Sequence, residues 1–207
     1  MEICKSLIGG KSIGSALPAL DKLNPATGEV IARIEPADDM LLDQAVAIAS
    51  EAQHEWAARG AAERAKILHR AADLLRDNND ALARLEVLDV GKVYSEAAAA
   101  DVPSGADAMA YFAALAQTES GDMHRYPDAI AYSERIPLGI CAGIGAWNYP
   151  VQIACWKSAP ALAAGNAFIL KPSELTPLTA HMVADLLAEA GLPDGLFQIL
   201  HGDYRIG

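Results

Sequence analysis

The sequence predicts an α/β protein in which a helical layer precedes a partial, doubly wound parallel sheet. Three observations carry this. Apolar residues recur at helical spacing through most of the first half. After Gly139 short apolar runs alternate with helical segments, the texture of repeated βα units, which imply a parallel sheet. The 207 residues are 52% apolar and 21% charged, the balance of a chain that buries a core rather than staying disordered.

The elements follow in order. Residues 24–28, Asn-Pro-Ala-Thr-Gly, form a turn, and residues 29–34 roughly alternate as a strand does. After Pro36, Asp38 or Asp39 can cap a helix whose Leu42, Ala45, Ile48, Ala49, Ala52 and Trp56 share a face, with Gly60 as its stop. A second helix carries Ile67, Leu68, Ala71, Leu74 and Leu75 and stops near Asn78; a third covers residues 80–90 with Gly91 as its C-terminal cap. Residues 96–116 have helical composition, although Pro103 and Gly105 start, break or kink the helix. Residues 129–136 read as a strand bounded by Pro127 and Pro137, outside the main sheet. Then come a Gly-punctuated strand at 140–145, a helix at 151–164 and a buried strand at 167–170. A helix follows with Thr176 as N-cap and Pro177 at its first position, then a stop at Gly191, a turn at 192–195 and a strand at 196–200. This divides the chain into 1–122, mostly helical, 123–138, and 139–207. Three parallel strands leave both faces and an edge partly uncovered, and residues 201–207 read as a loop, so the expectation is a chain cut from a longer one.

Charge and cysteine content narrow the function classes. Sixteen Lys and Arg against 27 Asp and Glu leave a net charge of −11, which argues against nucleic acid or an anionic membrane as partner. Cys4, Cys141 and Cys155 are too few and scattered for a disulfide framework and make no CxxC pair, so a reducing cytoplasm fits. The N-terminus lacks the apolar core of an export signal. The most apolar stretch, 151–170, carries Gln152, Lys157, Pro160 and Asn166, and no membrane span is expected. His54, His69, His124, His181 and His201 have no metal or triad spacing.

Two segments can carry chemistry. Gly143-Ile-Gly145-Ala-Trp-Asn148 puts two glycines where a strand meets a helix, without the third glycine of GxGxxG; it is either a dinucleotide site or a close-packed βα turn. Ile169-Leu-Lys-Pro-Ser-Glu174 puts a cation and a carboxylate at the carboxyl end of a parallel strand, where such folds bind ligands. A carboxylate there can accept both ribose hydroxyls of an adenine nucleotide and repel a 2′-phosphate, favouring NAD over NADP. Alternatively, Lys171 and Glu174 are a solvated pair in a loop before a helix. Read from its own residues, Asn148 is a helix cap, and Asp89 a solvated or capping aspartate.

The stretches at residues 137–150, 156–166 and 171–177, together with Leu23-Asn-Pro-Ala-Thr-Gly28, Leu88-Asp-Val-Gly-Lys92 and Gly105-Ala-Asp107, resemble the aldehyde dehydrogenase superfamily, most closely its betaine aldehyde and aminoaldehyde branch. The resemblance spans nearly the whole chain, in the family's order, and corresponds to the N-terminal portion of a chain more than twice as long. It implies a Rossmann-like NAD-binding domain without the catalytic domain. It further implies an enzyme that oxidises a small-molecule aldehyde to the acid through a thiohemiacetal, hydride transfer to NAD and thioester hydrolysis.

By the same resemblance Asn148 donates to the oxyanion, a role that suits a fixed amide N–H beside a developing alkoxide. Gly145, Ala146 and Trp147 line the cofactor, and Lys171, Ser173 and Glu174 hold its adenosine end. Tyr149 and Trp156, seven residues apart, enclose a cationic substrate, although a Trp at this place is common across the superfamily. Lys157 matches a proton-relay lysine, or else is a structural ion-pair partner. Asp89, with carbonyls near Leu23 and at Leu175, matches a potassium site. Residues 129–136 resemble an oligomerisation hairpin, so the full-length protein is expected to be a cytoplasmic homo-oligomer; Ile136 stands where relatives often have Glu. The family's nucleophilic cysteine, general-base glutamate and second glycine motif fall after Gly207, so the 207 residues alone are expected to be inactive. Cys155 is expected to be a buried inert thiol rather than a substitute nucleophile. The competing function is a non-catalytic nucleotide-binding or assembly module.

Overall fold

The structure, a computed structural model, describes residues 2–207. Its N-terminal strands are three to five residues long: β1 (Glu2–Cys4), β2 (Ser6–Ile8), β3 (Lys11–Ile13), β4 (Leu20–Leu23) and β5 (Val30–Ile34). Helices α1 (Asp39–Ala58), α2 (Ala61–Asp77), α3 (Asn79–Val90), the single turn α4 (Tyr94–Glu96) and α5 (Val102–Ala116) form the helical layer. A hairpin of β6 (Met123–Arg125) and β7 (Ile130–Tyr132) leads into β8 (Ile140–Ile144), α6 (Pro150–Ala163), β9 (Ala167–Lys171), α7 (Leu178–Glu189) and β10 (Phe197–Ile199).

The expected parallel strands are present, with β8, β9 and β10 in adjacent parallel register. The sheet is larger and more mixed than the βα units alone predict. Strand β2 pairs antiparallel with β10, and β3 with β2, giving the order β3-β2-β10-β9-β8. The N-terminal hairpin thus covers the β10 edge that would otherwise stand open. A second sheet, β1-β5-β4, pairs β1 parallel and β4 antiparallel to β5. Strands this short carry no readable period, and only tertiary pairing establishes them.

Helix ends follow local chemistry where the cap is local. Asp38 caps α1, its carboxylate accepting from the Leu41 N–H at 3.0 Å. Gly91, at φ 81°, ends α3 in the left-handed conformation that a β-carbon disfavours. Gly60 is the N-cap of α2 rather than the stop of α1, which ends at Ala58. Pro103 follows directly on a π-helical turn, Ala97–Asp101, that joins α4 to α5 without a break, so the residue that cannot donate lies inside a continuous helical run, at a wound-out turn, rather than at a free helix start. Thr176 does not cap α7: the cap position is Pro177, and α7 begins at Leu178.

The core lies between the helices and the five-stranded sheet. Trp56 is fully buried, and its indole N–H donates to the Leu162 carbonyl at 2.8 Å, joining α1 to the end of α6. Phe168 and Phe197 stack on neighbouring strands with ring centroids 6.0 Å apart. Gly143 in β8 makes room for this cluster, since a β-carbon there would lie 2.3 Å from Phe168 Cζ. Outside the core, β6 and β7 are exposed at every position. A cavity of about 590 Å³ opens between the start of α2, the end of α5 and residues 133–136, away from the carboxyl ends of the parallel strands.

Candidate functional site

The site is built where β8 and β9 end. Gly145 N–H donates to the Lys171 carbonyl at 2.8 Å, fastening the two carboxyl ends together. A β-carbon on Gly145 would lie 3.2 Å from Pro172 Cα and 3.5 Å from the Ser173 nitrogen, so glycine permits a close approach. Ala146 and Trp147 follow, exposed, and Asn148 lies half-buried in the bend before α6. The Asn148 amide has no hydrogen bond within the described residues. It is not the helix cap: that position belongs to Tyr149, with Pro150 as the first residue of α6.

The opening turn of α6 is held from a distance. Glu86, on α3, is buried, and its Oε1 accepts from the Val151 N–H at 2.8 Å. Its other oxygen is buried without a hydrogen-bond partner. Burial pushes the Glu86 carboxyl up to about 7, against the pull of the Val151 N–H and of Lys92. One helical turn on, Asp89 does the same for α7: its Oδ2 accepts from the Leu178 N–H at 2.8 Å. Two acids on one face of α3 thus cap two helices far away in sequence. The sequence signal is visible afterwards: Leu82, Glu86 and Asp89 form one i, i+4, i+7 stripe with acids at core positions.

Around Asn148 the aromatic residues are positioned separately. Lys92 Nζ lies 3.6 Å from the centroid of the Tyr149 ring and pairs with the buried Asp101 carboxylate. The Trp156 indole N–H faces Ser104 on α5, 3.2 Å from its Oγ and 3.3 Å from its carbonyl, and Gln152 donates to the same Oγ at 2.9 Å. Tyr149 and Trp156 keep 42% and 52% of their surfaces exposed. Lys157 is exposed rather than a buried ion-pair partner, its stem running beside Gly143, where a β-carbon would lie 3.3 Å from Lys157 Cδ. Sequence reading missed Glu86, Lys92 and Ser104 as supports.

At the end of β9, Lys171 Nζ lies 3.1 Å from Glu174 Oε2, and the Glu174 side chain stays 39% exposed. The Ser173 hydroxyl accepts from the Leu175 N–H at 3.2 Å, fixing the turn. Behind Lys171, His181 and His201 meet Nε2 to Nε2 at 2.7 Å; burial, then the neighbouring His181 and Lys171 charges, hold His201 down at about 3. The glycine approach and the exposed carboxylate at adjacent strand ends fit the adenosine side of a dinucleotide.

Asp89 does not fit a separate potassium ion. Lys22 Nζ stands among its oxygens, 3.2 Å from Asp89 Oδ1, 2.6 Å from the Asp89 carbonyl and 2.8 Å from the Leu23 carbonyl. A protein ammonium already takes the Leu23 and Asp89 carbonyls and stands beside the Asp89 carboxylate, where the ion would lie. Cys155 is buried, and burial, aided by Glu86, pushes its thiol up to about 12, an inert state. Among the described residues no three His, Cys, Asp or Glu side chains gather as metal ligands, and no helix is long and apolar enough to cross a membrane.

Comparison with known proteins shows the family. The aldehyde dehydrogenase family model matches residues 14–207. Betaine aldehyde dehydrogenase of Vibrio vulnificus strain CMCP6 is 51% identical over the whole of this chain, which covers 43% of that protein. The structure of PnpE from Pseudomonas sp. WBC-3 in complex with nicotinamide adenine dinucleotide superposes with a TM-score of 0.92 at 36% identity, over 96% of this chain and 41% of that one. An E. coli structure described as an NADP-dependent enzyme gives a TM-score of 0.93 at 32% identity, over 98% of this chain and 43% of that one. The chain therefore spans less than half the length of these relatives.

Proposed function

The chain belongs to the aldehyde dehydrogenase family, and on that premise we propose that it is the cofactor- and oxyanion-binding part of an NAD-dependent enzyme that oxidises betaine aldehyde or an aminoaldehyde to the acid. The observation that carries the reading is the Asn148 amide, without a hydrogen-bond partner among the described residues, at the mouth of α6 and beside the tight turn at Gly145. An amide N–H held there donates to an aldehyde oxygen as negative charge develops on it, and the positive end of the α6 dipole adds to the effect. Glu86 keeps that helix end in place by holding the Val151 N–H.

Gly145, Ala146 and Trp147 form the wall against the nicotinamide dinucleotide, which when bound supplies the hydride acceptor. Lys171, Ser173 and Glu174 take the adenosine ribose. Glu174 accepts its hydroxyls and repels a 2′-phosphate, so among relatives that include NAD and NADP enzymes this chain is assigned NAD. Tyr149 and Trp156 offer ring faces to a cationic substrate, a reading supported by the ammonium that Tyr149 already accepts from Lys92. To Lys157, exposed beside Gly143, we assign proton transfer. The nucleophilic thiol and the general base are assigned to the length of the relatives that this chain does not span, since Cys155 is sealed in the core. Three free cysteines support a cytoplasmic location, and the exposed β6–β7 hairpin supports assembly into a homo-oligomer.

The test is Glu174→Gln in the full-length protein. We expect the ratio of kcat/KM for NAD over NADP to fall about tenfold, the effect of removing roughly 1.4 kcal/mol of repulsion. An unchanged ratio removes Glu174 from the cofactor site. Asn148→Ala should lower kcat on the order of 100-fold with little change in cofactor KM.

A further inference from the structure

Lys22 is a buried lysine that the proposed reaction does not use. It lies on β4 with 3% of its side chain exposed, and Asp89 is equally enclosed. Its ammonium has three N–H donors, and three oxygens surround it: two backbone carbonyls and one carboxylate oxygen. Hard oxygens of this kind, carbonyls with a single carboxylate, are also what an alkali metal ion would take. One of the carbonyls is that of Asp89, in the last turn of α3, and the other Asp89 oxygen faces the N-terminus of α7. The order is cation, helix C-terminus, carboxylate, helix N-terminus, so each charge meets its opposite.

We propose that Lys22 is a tethered substitute for a monovalent metal ion, its ammonium filling an oxygen cage that joins β4, α3 and α7. A second cation within ~4 Å of the ammonium would be strongly repelled in this buried place, and the oxygens it needs are engaged. The consequence is a protein whose stability is indifferent to the identity of the monovalent cation. Shortening Lys22 empties the cage and restores the need for an ion.

The experiment uses the full-length protein, unfolded thermally in potassium chloride or in tetramethylammonium chloride at equal ionic strength. Wild type should unfold at the same temperature in both. Lys22→Ser should unfold lower in tetramethylammonium and recover by about 4 °C as potassium rises, with saturation, while sodium is less effective. A folded Lys22→Ser protein without a potassium response overturns the proposal. If that variant does not fold, wild-type crystals soaked in thallium decide: an anomalous peak beside Asp89 overturns the proposal, and its absence, with flat wild-type stability, upholds it. Neither readout depends on catalysis, so failure here leaves the assignments of Asn148 and Glu174 standing.

Discussion

Glu86 and Asp89 sit one turn apart on the same face of α3 and perform the same task, yet the protein treats them differently. Each accepts a backbone N–H at 2.8 Å from the start of a distant helix. Asp89 has an ammonium beside it; Glu86 has none in contact, only the more distant charge of Lys92. Burial raises both carboxyls by similar amounts, Asp89 from 3.8 to about 6 against the pull of Lys22 and the α7 N–H groups, and Glu86 from 4.5 to about 7 against that of the Val151 N–H and Lys92. Asp89 is therefore half of a closed ion pair, and Glu86 is a carboxyl whose charged form burial disfavours. The lesson is that a buried acid can cap a distant helix whether or not an ammonium stands in contact with it.

The comparison can be broken most severely at Asp89. Asp89→Asn keeps an acceptor for the Leu178 N–H but leaves the Lys22 ammonium buried without its counter-charge, an expected loss of about 3–5 kcal/mol in denaturant unfolding. Glu86→Ala leaves the Val151 N–H without its acceptor and a small void beside it, at roughly 2 kcal/mol, with kcat falling if α6 drifts from Asn148. Combining Asp89→Asn with Lys22→Met removes both charges and keeps the cap; its cost should drop to about 1–2 kcal/mol, well below that of Asp89→Asn alone. If the double variant is as damaged as the single, the buried charge is not what Asp89 compensates.

The sharpest expectation is a pH dependence. The folded-state carboxyl of Glu86 is raised from its ordinary 4.5 to about 7. A raised carboxyl contributes stability that is complete below the unfolded value and is lost as pH rises through the folded value. Wild type should therefore lose stability relative to Glu86→Gln between about pH 4.5 and 7, and no further above that. A difference that does not vary with pH across this window would mean that Glu86 titrates as an ordinary carboxylate.

The strand ends that carry Gly145, Lys171 and Glu174 were readable in advance because their signals are local. Gly143 and Gly145 end an apolar run, Lys171 and Glu174 end another, and each strand-to-helix step carries its own punctuation. The start of α1 and the ends of α2 and α3 were legible for the same reason, being marked by Asp38, Asn78 and Gly91 within a turn of the element they bound. The start of α7 was misread because Thr176 and Pro177 form a strong local cap signal, while Asp89, 89 residues away from Leu178, supplies the cap. Strands β1 to β4 were invisible because three or four residues cannot display a period, and pairing with distant strands is what fixes them.

By itself the sequence determined the α/β class, the parallel βα units and which residues stand at the strand ends, since these rest on spacing within about thirty residues, and its motifs along nearly the whole chain carried the resemblance to the family. Only the tertiary structure decided that an N-terminal hairpin closes the sheet edge and that Glu86 and Asp89 cap α6 and α7. It alone showed that Asp89 pairs with Lys22, whose ammonium lies 3.2 Å from its Oδ1. A buried charge chooses its partner by distance in a medium of low dielectric, and that distance exists only after β4, α3 and α7 have packed.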